Sequence, residues 1–415
     1  MPSQPPRRLA LQLLREWEDG STFAADLIQE SAISGRLAQR DRALVQRILF
    51  AYIRNRSLID HFLKELATGK LDPKTRRILR LGLTEALFLE NSPHALVNES
   101  VKMAGWSKGI VNAVLRRALK EKDKLLAAAE DLPPELRWSI PRFLWKRWVK
   151  QFGPEDSLAL AKWSNQPSEV YLRLNPHPPD AAVLATSSDL EPVPAFPDYH
   201  RLTGQLDTSW FRNGLAYAQD PSTSAAVDLL DAQPGESVLD ACAAPGGKTF
   251  AISCKAPEAQ LYCTDRSPDR IAQMQRNLET LQVPAKLCQT YDWLEPEAHP
   301  GEGLPAEFDR ILVDAPCSNT GVVRRRIDVR WRLQAADFEM LQETQQLLLA
   351  SLASRVKPGG VMVYSTCSLE HSENEAVTQH FLDSHPDYTL LEQRRVLPWV
   401  QQVDGAYCAA LKRNR

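Results

Sequence analysis

Two short runs of this chain, Asp314-Ala-Pro-Cys317 and Thr366-Cys367-Ser368, each follow an apolar stretch (FDRILV and GGVMVYS) and each lead into a polar turn. A free cysteine is usually a small buried hydrophobe, and that reading suits Cys254, Cys263 and Cys288. It suits poorly two thiols at the ends of strands that are expected to be neighbours. Carbon 5 of cytosine is too weak a nucleophile to take a methyl group from a sulfonium donor. A thiolate added at carbon 6 turns the ring into an enamine and makes carbon 5 reactive, which is covalent catalysis. A thiol of pKa ~8.5 is only slightly ionised at neutral pH, so nearby positive charge or hydrogen bonding must help it. A base then removes the carbon 5 proton and the thiol is expelled. Asp314 can hold the N3 and amino edge of such a ring, and the base must leave its stack to be reached. The residues alone do not rank the two thiols. A cysteine after proline, as in DNA enzymes that modify the same carbon, points to Cys317.

Such chemistry needs a methyl donor beside the thiols. The strand-like ESVLD runs into Asp240-Ala-Cys-Ala-Ala-Pro-Gly-Gly-Lys-Thr249. Small residues let the backbone approach a ligand closely, and the following helix offers free N–H groups. The loop is not a phosphate-binding P-loop, because G-x-x-x-x-G-K-[ST] requires glycine where Cys242 stands. Asp265 ends the next strand, 25 residues after Asp240. An acid there can hydrogen-bond ribose hydroxyls, so the pair points to a nucleoside-containing cofactor. Asp292, after the third strand, either extends this rim or closes a turn. An amino-group methyltransferase is disfavoured, since its Asp/Asn-Pro-Pro-aromatic loop is here Asp-Ala-Pro-Cys.

The elements that position these residues change character along the chain. Residues 6 to about 125 carry apolar side chains at helical spacing, such as Leu9, Leu13, Leu14 and Trp17, then Ile78, Leu81, Leu83 and Leu87. Asp72-Pro73 makes a helix start. Residues 126–165 read as a helical connector, and its Trp138, Trp145 and Trp148 fit the buried face of an amphipathic helix better than a base-stacking site. Residues 166–220 form a proline-rich α/β segment too small for its own core. From 221 to 415, short apolar runs (ESVLD, QLYCT, AKLCQ, FDRILV, GGVMVYS) alternate with helical segments such as 269–281 and 337–356. That pattern predicts a doubly wound, Rossmann-like α/β sheet, with ligands at the C-terminal strand ends. Net charge is −2, so any nucleic-acid surface must be local. Between Arg36 and Arg80 stand 12 Lys/Arg against 4 acids. This is either a solvated helical face or an RNA phosphate contact. No cysteine framework or zinc spacing is present, and no apolar run reaches the ~18 residues of a membrane span. The N-terminal apolar stretch is broken by Gln12, Arg15, Glu16 and Glu18, unlike a signal peptide. A soluble, cytoplasmic monomer without metal is expected.

DACAAPGGKT, Asp265, DAPCSNTGV and YSTCS, in this order, resemble the Sun/RsmB group of RNA cytosine-5 methyltransferases. VNAVLRR at 111–117 and the helices before it resemble the NusB-type RNA-binding domain of that group, and GLAYAQDPS at 214–222 resembles its entry into the methyltransferase domain. The resemblance covers essentially the whole chain. It implies a NusB-like all-α bundle, a small α/β segment and a class I methyltransferase domain. It implies S-adenosylmethionine as donor, lined by Cys242, Ala243, Ala244, Pro245, Gly246, Gly247, Lys248, Asp265, Arg270, Asp292 and Asp314. It also implies Cys367 as nucleophile and Cys317 as the thiol that assists release. The implied substrate is small-subunit (16S) ribosomal RNA, with transfer RNA, or a non-catalytic RNA scaffold, as alternatives. The chain departs from the group in Arg324–Trp331, with Ile327 where proline is usual and Arg330 where lysine is frequent. It also departs in Ala406-Tyr407, where paired phenylalanines are usual, and in a short 166–220 segment. The basic character of Arg324–Arg330 is kept, so contact with RNA is expected there.

Overall fold

The computed structural model describes residues 5–35, 37–295 and 301–414. Arg36, counted above among the cations, lies outside them. The chain forms two compact units. One runs to Gln166 and takes in Arg326–Arg332, and the other comprises Pro167–Arg325 and the residues from Leu333 onward.

The first unit is built from α1 (Pro6–Asp19), α2 (Ala24–Ile33), α3 (Gln39–Arg54), α4 (Arg56–Leu66), α5 (Pro73–Phe88), α6 (Pro93–Met103), α7 (Lys108–Lys120) and α8 (Arg142–Ser164). The apolar periodicity of α1 becomes a buried stripe of Leu9, Leu13, Leu14 and Trp17. Helix α5 starts where Asp72 accepts hydrogen bonds from the N–H groups of Lys74 and Thr75, with Pro73 in the first turn. It crosses α7 closely, since a Cβ on Gly82 would lie 2.7 Å from Leu115 Cδ2. Helix α8 is broken at Gly153-Pro154, where Gly153 has φ +80°. Trp148 is fully buried on it.

The basic stretch is partly consumed within this unit. Arg77 pairs with Glu18 at 2.5 Å, and Arg80 bridges Glu18 at 2.6 Å and Asp60 at 2.7 Å. The Arg56 guanidinium lies over the rings of Trp17 and Trp331. These three arginines hold helices together. Arg42, Arg47, Lys64, Lys70, Lys74 and Arg76 stay exposed.

Residues 326–332, expected within the 221–415 domain, instead complete the helical core. Ile327 is 1% exposed and packs in the helical cluster. Asp328 accepts from Trp17 Nε1 at 3.2 Å and from the Ala24 N–H, at the start of α2, at 2.7 Å. Arg330 is fully buried and donates to Asn165 Oδ1 at 2.6 Å and to the Ser164 carbonyl at 2.8 Å. Burial and the neighbouring Arg54 push its pKa down to about 9. Arg332 donates to the Trp17 and Thr22 carbonyls. The expected RNA contact is therefore corrected for Arg330, which is buried with its terminal nitrogens turned to main-chain and amide oxygens. Arg324 and Arg325 are likewise engaged within the second unit, with the Pro167 carbonyl and with Asp220 and Asp404. Arg326 remains exposed.

The second unit contains two sheets. The smaller has strands β1 (Tyr171–Leu174), β2 (Leu190–Pro192), β3 (Tyr199–Leu202) and β4 (Ala216–Ala218), antiparallel in the order β2-β3-β1-β4. It is pinned by Asn175, which donates to the carbonyls of Gly214 and Leu281. Gly214 has φ +67°, and a Cβ there would lie 2.0 Å from the Thr280 carbonyl oxygen, so glycine is required.

The larger sheet is made of β5 (Ser237–Asp240), β6 (Gln260–Asp265), β7 (Ala285–Thr290), β8 (Phe308–Asp314), β9 (Val356–Thr366), β10 (Tyr388–Val396) and β11 (Ala406–Arg413). Their order is β10-β11-β9-β8-β5-β6-β7, and β11 alone runs antiparallel to its neighbours. Helices α9 (Ser224–Leu230), α10 (Gly247–Lys255) and α11 (Pro268–Thr280) cover one face, with Phe250, Met274 and Leu278 packed on Val238, Leu261 and Leu312. Helices α12 (Ala335–Ala353) and α13 (Glu375–Ser384) cover the other, with Leu349, Leu352 and Phe381 on Ile311, Val313 and Met362. The chain order reverses at β5, which lies between β6 and β8. A crevice at the C-terminal strand ends follows from that reversal. Among the described residues, no helix is long and apolar enough to cross a membrane.

Candidate active site

Parallel pairing of β5 with β8 and of β8 with β9 brings Asp240, Asp314 and Thr366 to one edge of the sheet, with Asp314 opposite Ser365. The loop after β5 turns at Gly246, φ +102°, and enters α10 at Gly247. Its backbone is hemmed in, since a Cβ on Gly247 would lie 2.9 Å from Tyr217 Cε1 and 3.1 Å from Gln219 Nε2.

A cavity of about 310 Å³ opens here, lined by Asp240, Cys242, Ala243, Ala244, Pro245, Gly247, Lys248, Asp314, Thr366 and Cys367, with Tyr217 and Arg325 on other sides. Lys248 Nζ stands 2.6 Å from Asp314 Oδ2, and Ser365 donates to Asp314 Oδ1 at 3.1 Å. Burial works against the Lys248 charge, but Asp314, and behind it Cys367 and Asp240, outweigh it and raise the lysine's pKa. The ammonium is therefore a fixed positive charge beside Cys367. Asp240 accepts from Thr249 Oγ1 at 2.7 Å through Oδ2, while its Oδ1 is buried without a hydrogen-bond partner. Burial pushes its pKa up to about 7.

The two thiols meet. Cys317 Sγ and Cys367 Sγ are 3.3 Å apart. Cys367 Sγ also donates to Asn319 Oδ1 at 3.2 Å, and Asn319 Nδ2 donates to the Cys317 carbonyl at 2.7 Å. Asn319 takes a left-handed conformation, φ +59°, to do so. The Gly321 N–H donates to the Cys367 carbonyl at 2.9 Å, tying the two loops. The hydrogen bond with Cys367, then burial, raises the Cys317 pKa well above that of an ordinary thiol, so Cys317 is held protonated. All seven cysteines are free.

Five anticipated residues are not on the cavity lining: Gly246, Cys317, Asp265, Arg270 and Asp292. Asp265 ends β6, is 3% exposed, and lies 2.9 Å from Arg270 Nη1. The Arg270 guanidinium also donates to the Ala244 carbonyl, linking the β6 end to the glycine loop. Asp292 accepts from the Leu294 N–H at 2.9 Å, which is the turn role weighed for it above. Among the described residues, no group of three or more His, Cys, Asp and Glu could hold a metal.

Some residues of the site escaped the sequence reading. Glu373 and the Asp220–Arg325–Asp404 cluster come from distant segments and have no local signature, while Asn319 lies within the DAPCSNTGV run but was given no role there. One signal was visible: both thiols are followed by serine, Ser318 and Ser368, and those serines meet at 3.1 Å.

The residues fit a cationic methyl donor. Four carboxylates, Asp220, Asp240, Asp314 and Asp404, line the cavity against Lys248 and Arg325, and Asp240 keeps a buried oxygen unpartnered.

Comparison with known proteins agrees with this architecture. Residues 227–412 match the family described as 16S rRNA methyltransferase RsmB/F, and residues 4–120 match the NusB family. The chain is similar to ribosomal RNA small subunit methyltransferase B of Klebsiella pneumoniae, 33% identical over 99% of this chain and 98% of that protein. A solved structure titled PH0851 shares the fold over 99% of both chains, with a TM-score of 0.75 at 23% identity. A methyltransferase homolog from Pyrococcus horikoshii, 27% identical, covers 68% of this chain and 97% of its own with a TM-score of 0.57.

Proposed function

Because the chain belongs to the RsmB/F family of 16S rRNA methyltransferases, we propose that it methylates carbon 5 of a cytosine in small-subunit ribosomal RNA, through a covalent bond from Cys367. The observation that carries this reading is the pair of thiols 3.3 Å apart, one of them on a cavity wall with Lys248 and Asp314. Such a substrate puts the enzyme in the cytoplasm.

S-adenosylmethionine, when bound, supplies an electrophilic methyl group. The residues that would hold it are the 242–248 loop, Asp240 and Asp314, with Asp265 and Arg270 bracing the loop from behind. Asp292 contributes a turn.

The chain's own residues do the rest. Lys248 supplies positive charge that favours the Cys367 thiolate. Asp314 accepts from the exocyclic amino group, which orients the ring edge for attack at carbon 6. Cys367 Sγ adds to carbon 6, and the ring electrons move to carbon 5, where the new carbon–carbon bond forms. Loss of the carbon 5 proton to a base and cleavage of the S–C6 bond restore the aromatic ring. Cys317, at the shoulder of the nucleophile, assists that release.

The test is a pair of variants incubated with unmodified 16S rRNA and donor. Cys317→Ala should accumulate a protein–RNA adduct that survives denaturation, and Cys367→Ala should give neither adduct nor product. Methylation that persists in Cys367→Ala would defeat the reading. Product from a transfer RNA and none from 16S rRNA would instead redirect the substrate.

A further inference from the structure

We infer that Glu373 is a positioning residue that clamps the two sulfur-bearing loops together. The inference deepens the two-thiol reading above and rests on it.

Glu373 is completely buried, in the turn between β9 and α13. Its donors are two hydroxyls, one main-chain N–H and one side-chain amide. Oε2 accepts from Ser318 Oγ and, at 2.6 Å, from Ser368 Oγ. Oε1 accepts from the Ser318 N–H at 2.8 Å and from Gln345 Nε2 at 3.2 Å. Ser318 follows Cys317 and Ser368 follows Cys367, so one carboxylate grips the residue after each sulfur.

The proton count makes the grip strict. Each serine has one proton and both are directed at Oε2, while Oε1 also faces only donors, so no acceptor remains for a carboxyl proton and the group is held as the carboxylate. The serine oxygens, 3.1 Å apart, have no proton left for each other. Ser368 Oγ instead accepts from the Glu370 N–H at 3.1 Å. Gln345 also donates to the Pro316 carbonyl at 2.9 Å, immediately before Cys317. Tyr364 donates to the Glu373 carbonyl and fixes the turn itself. A shift of either loop breaks a bond to a buried ionised group, which is costly.

The arrangement does more than hold a distance. The Glu373 charge adds to the causes that keep Cys317 protonated, after its hydrogen bond with Cys367 and its burial. The clamp thereby makes the two thiols unequal, with Cys317 the one held protonated.

Glu373→Gln keeps the shape but replaces one acceptor oxygen with a donor, so the shared acceptance or the Ser318 N–H bond is lost. Two measurements apply to the full-length chain. Iodoacetamide alkylation of each cysteine, resolved by mass spectrometry without RNA or donor, should show Cys317 reacting about fivefold faster or more in the variant, with the five cysteines other than Cys317 and Cys367 unchanged. Methylation kinetics should show kcat falling about 10-fold or more, with KM for RNA within about twofold. The alkylation arm does not depend on the reaction, so its result separates failure of the clamp from failure of the functional reading. A folded Glu373→Gln with unchanged Cys317 alkylation and unchanged kcat overturns the inference. If Glu373→Gln does not fold, Ser318→Ala and Ser368→Ala each remove one hydroxyl donor. Both should then move Cys317 reactivity in the same direction, and no change in either overturns the inference as well.

Discussion

At the residue scale, the reactivity of Cys367 turns on the charge beside it. Lys248 is held protonated by Asp314 against the effect of burial. Lys248→Met should lower kcat/KM by about 100-fold, the scale of losing one preorganised charge in an enclosed site, and should slow alkylation of Cys367. Unchanged alkylation would assign Lys248 to binding alone. Asp240 offers a pH test. Its folded pKa, about 7, is raised chiefly by burial, while Thr249 opposes the shift. A carboxyl raised on folding contributes stability that is complete below pH ~4 and lost as pH rises through the folded value. Asp240→Asn should therefore gain thermal stability relative to the parent between pH 5 and pH 8, measured by the unfolding midpoint in each buffer. An equal gap at both pH values would contradict the ionisation. Both thiols, Asp314 and the glycine loop were legible in the sequence because chemistry restricts those residue types and strand ends restrict their location. Glu373 was not, because a buried acid in a helix-entry turn looks like any surface glutamate until its donors are known.

At the element scale, the loops after β8 and β9 matter most. Gly321 passes so close to its neighbours that a Cβ would lie 2.5 Å from the Gly405 carbonyl oxygen and 2.7 Å from the Cys367 carbonyl oxygen. Gly321→Ala should displace the Cys367 loop and reduce kcat by about 10-fold or more while donor affinity stays near the parent value. Parallel loss of donor affinity would mean that the whole sheet edge had moved. The segment 326–332 makes a separate prediction. Buried Arg330 meets the half-buried Asn165 amide oxygen and the buried Ser164 carbonyl. Arg330→Leu should cost the helical unit about 2–4 kcal/mol, because buried acceptors lose their donor. Denaturant unfolding followed through that unit's tryptophans reads it. The five contiguous strands β9, β8, β5, β6 and β7 were legible as apolar β-branched runs. The two at the other edge were not, since β10 is largely exposed and its LLEQRR carries charge rather than alternation. The Arg324–Arg330 run read as a basic surface because sequence gives charge without burial.

At the scale of the whole molecule, a net charge of −2 leaves RNA binding to local cations. Arg77, Arg80 and Arg56 are spent on internal pairs, which leaves the exposed Arg42, Arg47, Lys64, Lys70, Lys74 and Arg76 as the cations to test for phosphate contact. Replacing Lys70 and Lys74 with glutamine should weaken RNA binding and reduce the slope of log affinity against log salt by about one to two. An unchanged slope would move the contact elsewhere. The order of an all-helical unit before a doubly wound sheet was legible from the change in hydrophobic period. The return of seven residues to the helical core was not, because it depends on contacts some 300 positions apart. The central claim, attack by Cys367 on carbon 6 of a cytosine, is most directly tested with 16S rRNA carrying 5-fluorocytosine, whose carbon 5 has no proton to lose. Incubation with the parent enzyme and donor should trap the covalent complex, and peptide sequencing by mass spectrometry should find the nucleotide on Cys367. A nucleotide on Cys317, or turnover without any trapped protein, would contradict the account.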